Sequence, residues 1–398
     1  MTDENIAKGT VKVCDGNRAA AYGVLVSNPN VVALYPITPQ TSLIEYLASF
    51  KANGLLSAEI VEVEGEISAM GVAIGAALAG GRSFTASSSM GLYFMFDTYT
   101  MAPLARTPVV MVNANRENSP AAVAAGQQDI MSVAEAGWIQ IHTESCQEIL
   151  DSIIMAYRLA EDPDILLPVI VCYDGFYLSY LAMPVEIPPQ ETVNRFLPRT
   201  PRPHLGLDPL MSGAATMVPA EATEARYRHQ QALERVKQRI EKIDYEFARI
   251  FGRCYGGLID EYRMEDAEYA LITLGSHTGT ARVAVDKKRE EGFPVGLVKI
   301  RVHRPFPWER LAQALKGKRA VGVIDRSVCL GWNCGHLYHE LQATLQRAAL
   351  DIPSIDFIDG LAGGDISDTH IERVIELTHE ASLGRPVKRL SWLPLEKV

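Results

Sequence analysis

Short apolar runs recur along this chain at intervals too long for hairpins and long enough for an intervening helix. Runs at 31–37, 59–63, 83–87, 108–114, 139–142 and 167–173 each read as a strand, and the segments between them carry helical spacing. Strands that are apolar throughout are covered on both faces, and connections of a dozen residues or so join parallel neighbours. The pattern predicts an α/β domain with a parallel sheet. It returns at 269–275, 295–302, 320–325 and 355–359, which predicts a second parallel-sheet domain. In open sheets of this kind ligands bind beyond the carboxyl ends of the strands, so the segments just after each run are where chemistry is expected. No G-x-G-x-x-G follows the first run, and a dinucleotide-binding fold is not supported.

Between the two rhythms, eight prolines fall in the thirty-six residues from Pro184 to Pro219, which reads as an extended arm unable to build helices. Leu233, Val236, Ile240, Ile243, Phe247 and Ile250 then alternate at spacings of three and four, the stripe of a long amphipathic helix. That stripe suits a partner subunit and its own domain equally well. The expected divisions are residues 1–186, a linker arm at 187–221, the helix at 222–251 and a second domain at 252–398.

The formal charge of −10 argues against nucleic acid, since nothing would neutralise phosphates along a groove. No apolar run reaches the length of a membrane span, and the opening Met1-Thr2-Asp3-Glu4-Asn5 lacks the basic head of a leader, so a cytoplasmic location is expected. The six cysteines include no C-x-x-C; Cys329 and Cys334, with four residues between them, lack the further cysteines an iron–sulfur cluster needs. Electrons, if they pass, leave through another polypeptide. No metal site is expected in this chain.

Four stretches at predicted strand ends carry the functional reading. Tyr35-Pro36-Ile37-Thr38-Pro39 places two prolines at a strand-to-helix turn, so the Thr38 hydroxyl is offered from a stiff backbone. Glu62, Glu64 and Glu66 share one parity ahead of a small-residue helix containing Gly71 and Gly75, and spacing does not say which is buried. A carboxylate in a helix's first turn is favoured by the dipole, and by itself Glu66 reads equally as a solvated cap. Ser87-Ser88-Ser89-Met90-Gly91 follows the third run, and Asn113-Ala114-Asn115-Arg116 ends the fourth. The Arg116 fork suits a carboxylate, or else an ordinary surface pair with Glu117.

Taken together and in this order, the four stretches resemble the α subunit of the thiamine-diphosphate-dependent 2-oxoacid:acceptor oxidoreductases, the pyruvate:ferredoxin oxidoreductase family, over nearly the whole chain, with phenylglyoxylate dehydrogenase among the candidates. The resemblance implies a pyrimidine-binding domain followed by one like the transketolase C-terminal domain. It implies that Glu66 hydrogen-bonds N1′ of the aminopyrimidine, that Tyr35, Pro36, Ile37 and Ser89 line the cofactor, and that Thr38, Arg116, Gly126 and Gln127 meet the substrate. The Gly-Asp-Gly that holds the diphosphate through a divalent ion is not in this sequence. A β subunit is therefore expected to carry that half with Mg²⁺, with γ and ferredoxin-like δ subunits carrying [4Fe-4S] clusters, coenzyme A as co-substrate, and ferredoxin or NAD as final acceptor.

The segment Ser119-Pro120-Ala121-Ala122-Val123-Ala124-Ala125-Gly126-Gln127-Gln128-Asp129 departs from the pyruvate enzymes' tryptophan-containing pattern toward small residues. If it lines the site, the pocket is wide and apolar enough for an aromatic 2-oxoacid such as phenylglyoxylate, with pyruvate or a branched-chain 2-oxoacid as the alternative. A non-catalytic assembly subunit and a transketolase-like enzyme without electron acceptors are the competing readings. Retention of Thr38, Glu66 and Arg116 disfavours the first, and the absent diphosphate motif the second.

Overall fold

The computed structural model describes residues 9–118, 123–199 and 219–395. The strands in chain order are β1 (Thr10–Cys14), β2 (Val31–Leu34), β3 (Glu59–Glu62), β4 (Ser83–Ser87), β5 (Val110–Asn115), β6 (Ile139–His142), β7 (Val169–Asp174) and β8 (Met183–Ile187). After the long helix come β9 (Ile259–Tyr262), β10 (Tyr269–Thr273), β11 (Val295–Ile300), β12 (Val302–Arg304), β13 (Val321–Asp325), β14 (Ser354–Ile358) and β15 (Leu390–Trp392).

The first sheet has the order β12-β6-β7-β5-β4-β2-β3 and is parallel except at β12. Its central strands β4, β5 and β7 are buried along their full length, as expected where helices cover both faces. The second sheet runs β15-β14-β13-β10-β11-β9, parallel except for β9. β12 comes from the chain after the long helix yet pairs with β6, so the two halves share a sheet edge.

Two features differ from the sequence reading. β1 and β8 form a separate antiparallel ribbon, and the proline-rich stretch does build a helix, Gln190–Phe196. Pro189 sits at its N-cap, where a missing N–H costs nothing, and Val193 and Phe196 bury one face. Residues 119–122 of the small-residue segment and 200–218 of the arm lie outside the described residues.

The helix Pro219–Phe251 packs on its own chain: Ala232, Val236, Ile240, Ile243 and Phe247 are buried, and Phe247 meets Phe196 edge-on at 5.3 Å and stacks on Phe251 at 4.2 Å. Each of the valine, isoleucine and phenylalanine side chains contributes about 1.5–3 kcal/mol by leaving water. A charged seam adds specificity. The buried Glu148 of helix Cys146–Ala160 accepts from Lys299 at 2.6 Å and Arg301 at 3.0 Å, and Arg301 also donates to Gly257 O and Ser152 Oγ. Removing one partner would strand a buried charge at a cost of about 3–5 kcal/mol.

Candidate active site

Because β5, β4, β2 and β3 are adjacent and parallel, their carboxyl ends form one rim, which collects Arg116, Ser89, Thr38 and Glu66 in that order. Each is set there by a different local device.

Glu66 opens the helix Glu66–Leu78 and is 5% exposed, whereas Glu62 and Glu64 are exposed. Its carboxylate has no hydrogen bond among the described residues. The reason for its room is Gly91: a Cβ there would lie 2.4 Å from Glu66 Oε1 and 2.4 Å from Ser87 Oγ. Ser87 Oγ, also buried, has no partner among the described residues. A buried acceptor, an unpaired hydroxyl and a slot with no side chain thus share one place.

Thr38 is exposed at the tip of the turn after β2, behind which Tyr35 is half-buried, Pro36 exposed and Ile37 half-buried. The turn is pinned from beneath. The fully buried Gln40 donates to Tyr35 O at 3.0 Å, and Asn17 Nδ2 to Pro39 O at 2.7 Å, with Asn17 Oδ1 accepting from Tyr173 Oη at 2.6 Å. Arg116 crosses to this turn, Nη1 donating to Thr38 O at 3.0 Å. Its Nε is buried without a partner among the described residues, so part of the fork is uncommitted. Arg116 has no ion pair with Glu117, which is buried and whose carboxyl burial pushes up.

Ser89 has φ 48° and ψ −120°, a conformation that costs a side-chain-bearing residue about 1–3 kcal/mol. Asp129 restrains it. This wholly buried carboxylate accepts from Ser89 N at 2.9 Å, Asn113 Nδ2 at 2.9 Å, Arg116 N at 3.1 Å and Ile130 N at 2.8 Å. Burial pushes its carboxyl up to about 6 against those donors. The Ser89 hydroxyl is turned to Glu117 O at 3.1 Å.

Gly126 and Gln127 stand elsewhere. Gly126 packs on Glu117, and a Cβ there would lie 2.7 Å from Glu117 Oε2. Gln127 donates to Asp174 Oδ1 at 3.0 Å and to Leu274 O at 3.0 Å, on the seam with the second sheet. There Asp174 also receives Ser276 and Arg326, the latter at 3.2 Å. Burial opposes its charge, but Arg326, Ser276 and Gln127 hold its carboxyl below the usual range. The described part of the small-residue segment, from Val123 on, lies between the rim and the second domain: Ala125 is bridged to Arg116, Ala124 O accepts from Glu117 N at 3.0 Å, and Ala125 O accepts from Gly363 N at 2.7 Å.

The supports Asn17, Gln40, Asp129, Asp174 and Arg326 were not picked out from sequence. The available signal was polar residues inside otherwise apolar strand ends and helix starts, which marks many positions that have no such role.

A thiamine pyrimidine asks for a flat space faced by a buried carboxylate. Glu66, Gly91 and the unpaired Ser87 hydroxyl meet that demand. Fold and rim together define a thiamine-diphosphate-binding α/β subunit.

Comparison with known proteins carries this further. Residues 22–245 match the family model for pyruvate flavodoxin/ferredoxin oxidoreductase, thiamine diphosphate-binding, and 267–371 match core domain II of pyruvate:ferredoxin oxidoreductase. The chain belongs to this family and is one subunit of a coenzyme A-acylating 2-oxoacid oxidoreductase. It is 45% identical over 381 residues to the alpha subunit of NADH-dependent phenylglyoxylate dehydrogenase from Aromatoleum evansii, covering 93% of this chain and 91% of that one. It is 43% identical over 390 residues to a pyruvate synthase subunit of Methanothermobacter thermautotrophicus, covering 97% and 99%. Among solved structures, 2-oxoglutarate:ferredoxin oxidoreductase from Magnetococcus marinus superposes with a TM-score of 0.71 at 20% identity, over 94% of this chain and 65% of that one, a likeness of fold. A split-gene transketolase shares the fold more loosely, at a TM-score of 0.53 and 13% identity over 92% of this chain and 98% of that one. Among the described residues no helix is long and apolar enough to cross a membrane.

Proposed function

We propose that this α subunit supplies the pyrimidine half of a thiamine diphosphate site and the carboxylate clamp for an aromatic 2-oxoacid such as phenylglyoxylate. The observation that carries the reading is the juxtaposition of a buried, unpartnered Glu66 carboxylate with the Arg116–Thr38 pair on one sheet rim. When bound, thiamine diphosphate supplies the electron sink that lets a 2-oxoacid lose carbon dioxide. Glu66 holds and returns the proton at N1′ of the pyrimidine. Arg116 offers its uncommitted N–H groups to the substrate carboxylate, and the exposed Thr38 hydroxyl reaches the 2-oxo oxygen. Asp129, through Ser89 N and Arg116 N, keeps the rim in register, while Tyr35, Pro36 and Ile37 wall it. Gly126, packed against Glu117, backs the clamp, and Gln127 ties that backing to the second domain through Asp174 and Leu274 O.

The same reading places the diphosphate and its Mg²⁺ on a β subunit. Ile67, Met90, Phe94, Met101 and Leu104, each at least 40% exposed, surround the Glu66 helix and its neighbours, and Gly71 and Gly75 have nothing within 4 Å. An apolar face bordering a half-built site suits a subunit that closes over it. Clusters on further γ and δ subunits would take the electrons, coenzyme A the acyl group, and ferredoxin or NAD the final reducing equivalents.

Small residues at 119–126 and the phenylglyoxylate relative support an aromatic substrate. Assay of the intact complex with phenylglyoxylate, pyruvate and 2-oxoisovalerate side by side tests it. The highest kcat/KM is expected on phenylglyoxylate, and preference for pyruvate would overturn the substrate assignment.

A further inference from the structure

Cys329 and Cys334 face each other across an antiparallel bridge, Cys329 N donating to Cys334 O at 2.8 Å. They close a short hairpin just beyond β13, turned by Trp332 N donating to Cys329 O at 3.1 Å. Bridge partners put their side chains on the same face with Cα atoms about 5.5 Å apart, inside the roughly 4.4–6.8 Å that a disulfide spans. Both thiols are free and half-buried, and each is the other's side-chain neighbour.

The feet of the hairpin are fixed. Gly335 N donates to Asp356 Oδ2 at 2.7 Å, and Leu337 N and Tyr338 N donate to Asp325 at 2.8 and 2.9 Å. On the other side, Val328 and Gln128 exchange two hydrogen bonds, Val328 N to Gln128 Oε1 at 2.9 Å and Gln128 Nε2 to Val328 O at 3.1 Å. The tip is exposed, Leu330 by 81% and Trp332 by 70%, and Trp332 meets the His339 ring at 5.3 Å. Gln128 adjoins Asp129, the carboxylate that holds the backbones of Ser89 and Arg116.

We propose that Cys329 and Cys334 are a reversible thiol–disulfide pair, and that closing it shifts the Arg116 rim through Val328, Gln128 and Asp129. The two thiols give up two protons and two electrons, forming one S–S bond. A peroxide takes them and leaves as two waters, or a small-molecule disulfide takes them and leaves as two thiols. Burial and the Asp356 carboxylate push the Cys334 thiol up to about 11, so thiolate is scarce and closure at neutral pH is slow. The bond is independent of the substrate assignment; its effect on KM rests on the proposed clamp.

The assembled complex, treated with oxidised glutathione or hydrogen peroxide and then alkylated and digested, tests this by mass spectrometry. The peptide spanning both cysteines is expected unalkylated and lighter by two hydrogens, reverting with dithiothreitol. The KM for the 2-oxoacid should move and return with it in the wild type but not in Cys334→Ser, whose activity under reducing conditions matches the wild type. Full alkylation of both thiols after oxidation, or their conversion to sulfonic acids without the linked species, overturns the pair. A disulfide that forms with KM unmoved overturns the coupling through Gln128.

Discussion

Replacing Gly91 with alanine adds one methyl group, and the structure says what that methyl meets. Its Cβ would lie 2.4 Å from both Glu66 Oε1 and Ser87 Oγ, against an ordinary contact of about 3.5 Å. The carboxylate, as the free end of a flexible side chain, is the group that yields, by about 1 Å. A misplacement of that size at the reacting centre costs about 100-fold in rate, equivalent to about 2.7 kcal/mol of barrier. Stability should change little. Overpacking costs about 1–3 kcal/mol, and alanine's helix preference over glycine returns about 1. The assay is turnover of the assembled complex with an artificial electron acceptor, together with its thermal midpoint. Gly279→Ala, where nothing lies within 4 Å, is the control. Unchanged turnover in Gly91→Ala would refute the claim that Glu66 must occupy this seat. Turnover lost only in step with assembly would refute it as well.

Glu66→Gln keeps the shape and loses the exchangeable carboxyl, so turnover should fall by at least about 100-fold with the melting midpoint held; substantial retained activity excludes proton relay. Arg116→Ala removes the charged clamp, and the KM for the 2-oxoacid should rise about 10- to 100-fold, an outcome read directly from initial rates. Burial lifts the Asp129 carboxyl from 3.8 to about 6, so the folded chain holds that proton more tightly than the unfolded one. Stability therefore falls as pH rises from about 4 to about 6, by about 3 kcal/mol from this group alone. Asp129→Asn, having no proton to release, should show a shallower fall of the melting midpoint over that range, and an identical slope would remove Asp129 as its source. The chain purified alone should bind thiamine diphosphate and Mg²⁺ weakly, since the proposal gives it half a site; tight binding by calorimetry would contradict the shared arrangement.

Much of the architecture was legible residue by residue. Apolar runs at 83–87 and 139–142 coincide with β4 and β6, and the amphipathic stripe from Leu233 to Phe247 lies within the helix Pro219–Phe251. Periodicity and chain direction are local properties, and in a parallel sheet they also say which end of each strand bears loops, which put Thr38, Glu66, Ser89 and Arg116 on one rim. The helix at Gln190–Phe196 was missed because proline content was weighed without regard to where each proline fell, and Pro189 sits where a helix tolerates it.

What the chain's order of residues determined unaided was this periodic scaffold and the kinds of side chain at its strand ends, since both follow from spacing along the backbone. Only the tertiary structure decided which of three like-placed glutamates is buried, that Asp129 gathers donors from two strand ends, and that Gln127 faces the second domain rather than the rim. Those outcomes depend on contacts between residues far apart in sequence, such as Asp174 with Ser276 and Arg326, 102 and 152 positions away. Burial and hydrogen-bond partnership arise when separate elements meet, and no spacing within one element encodes them.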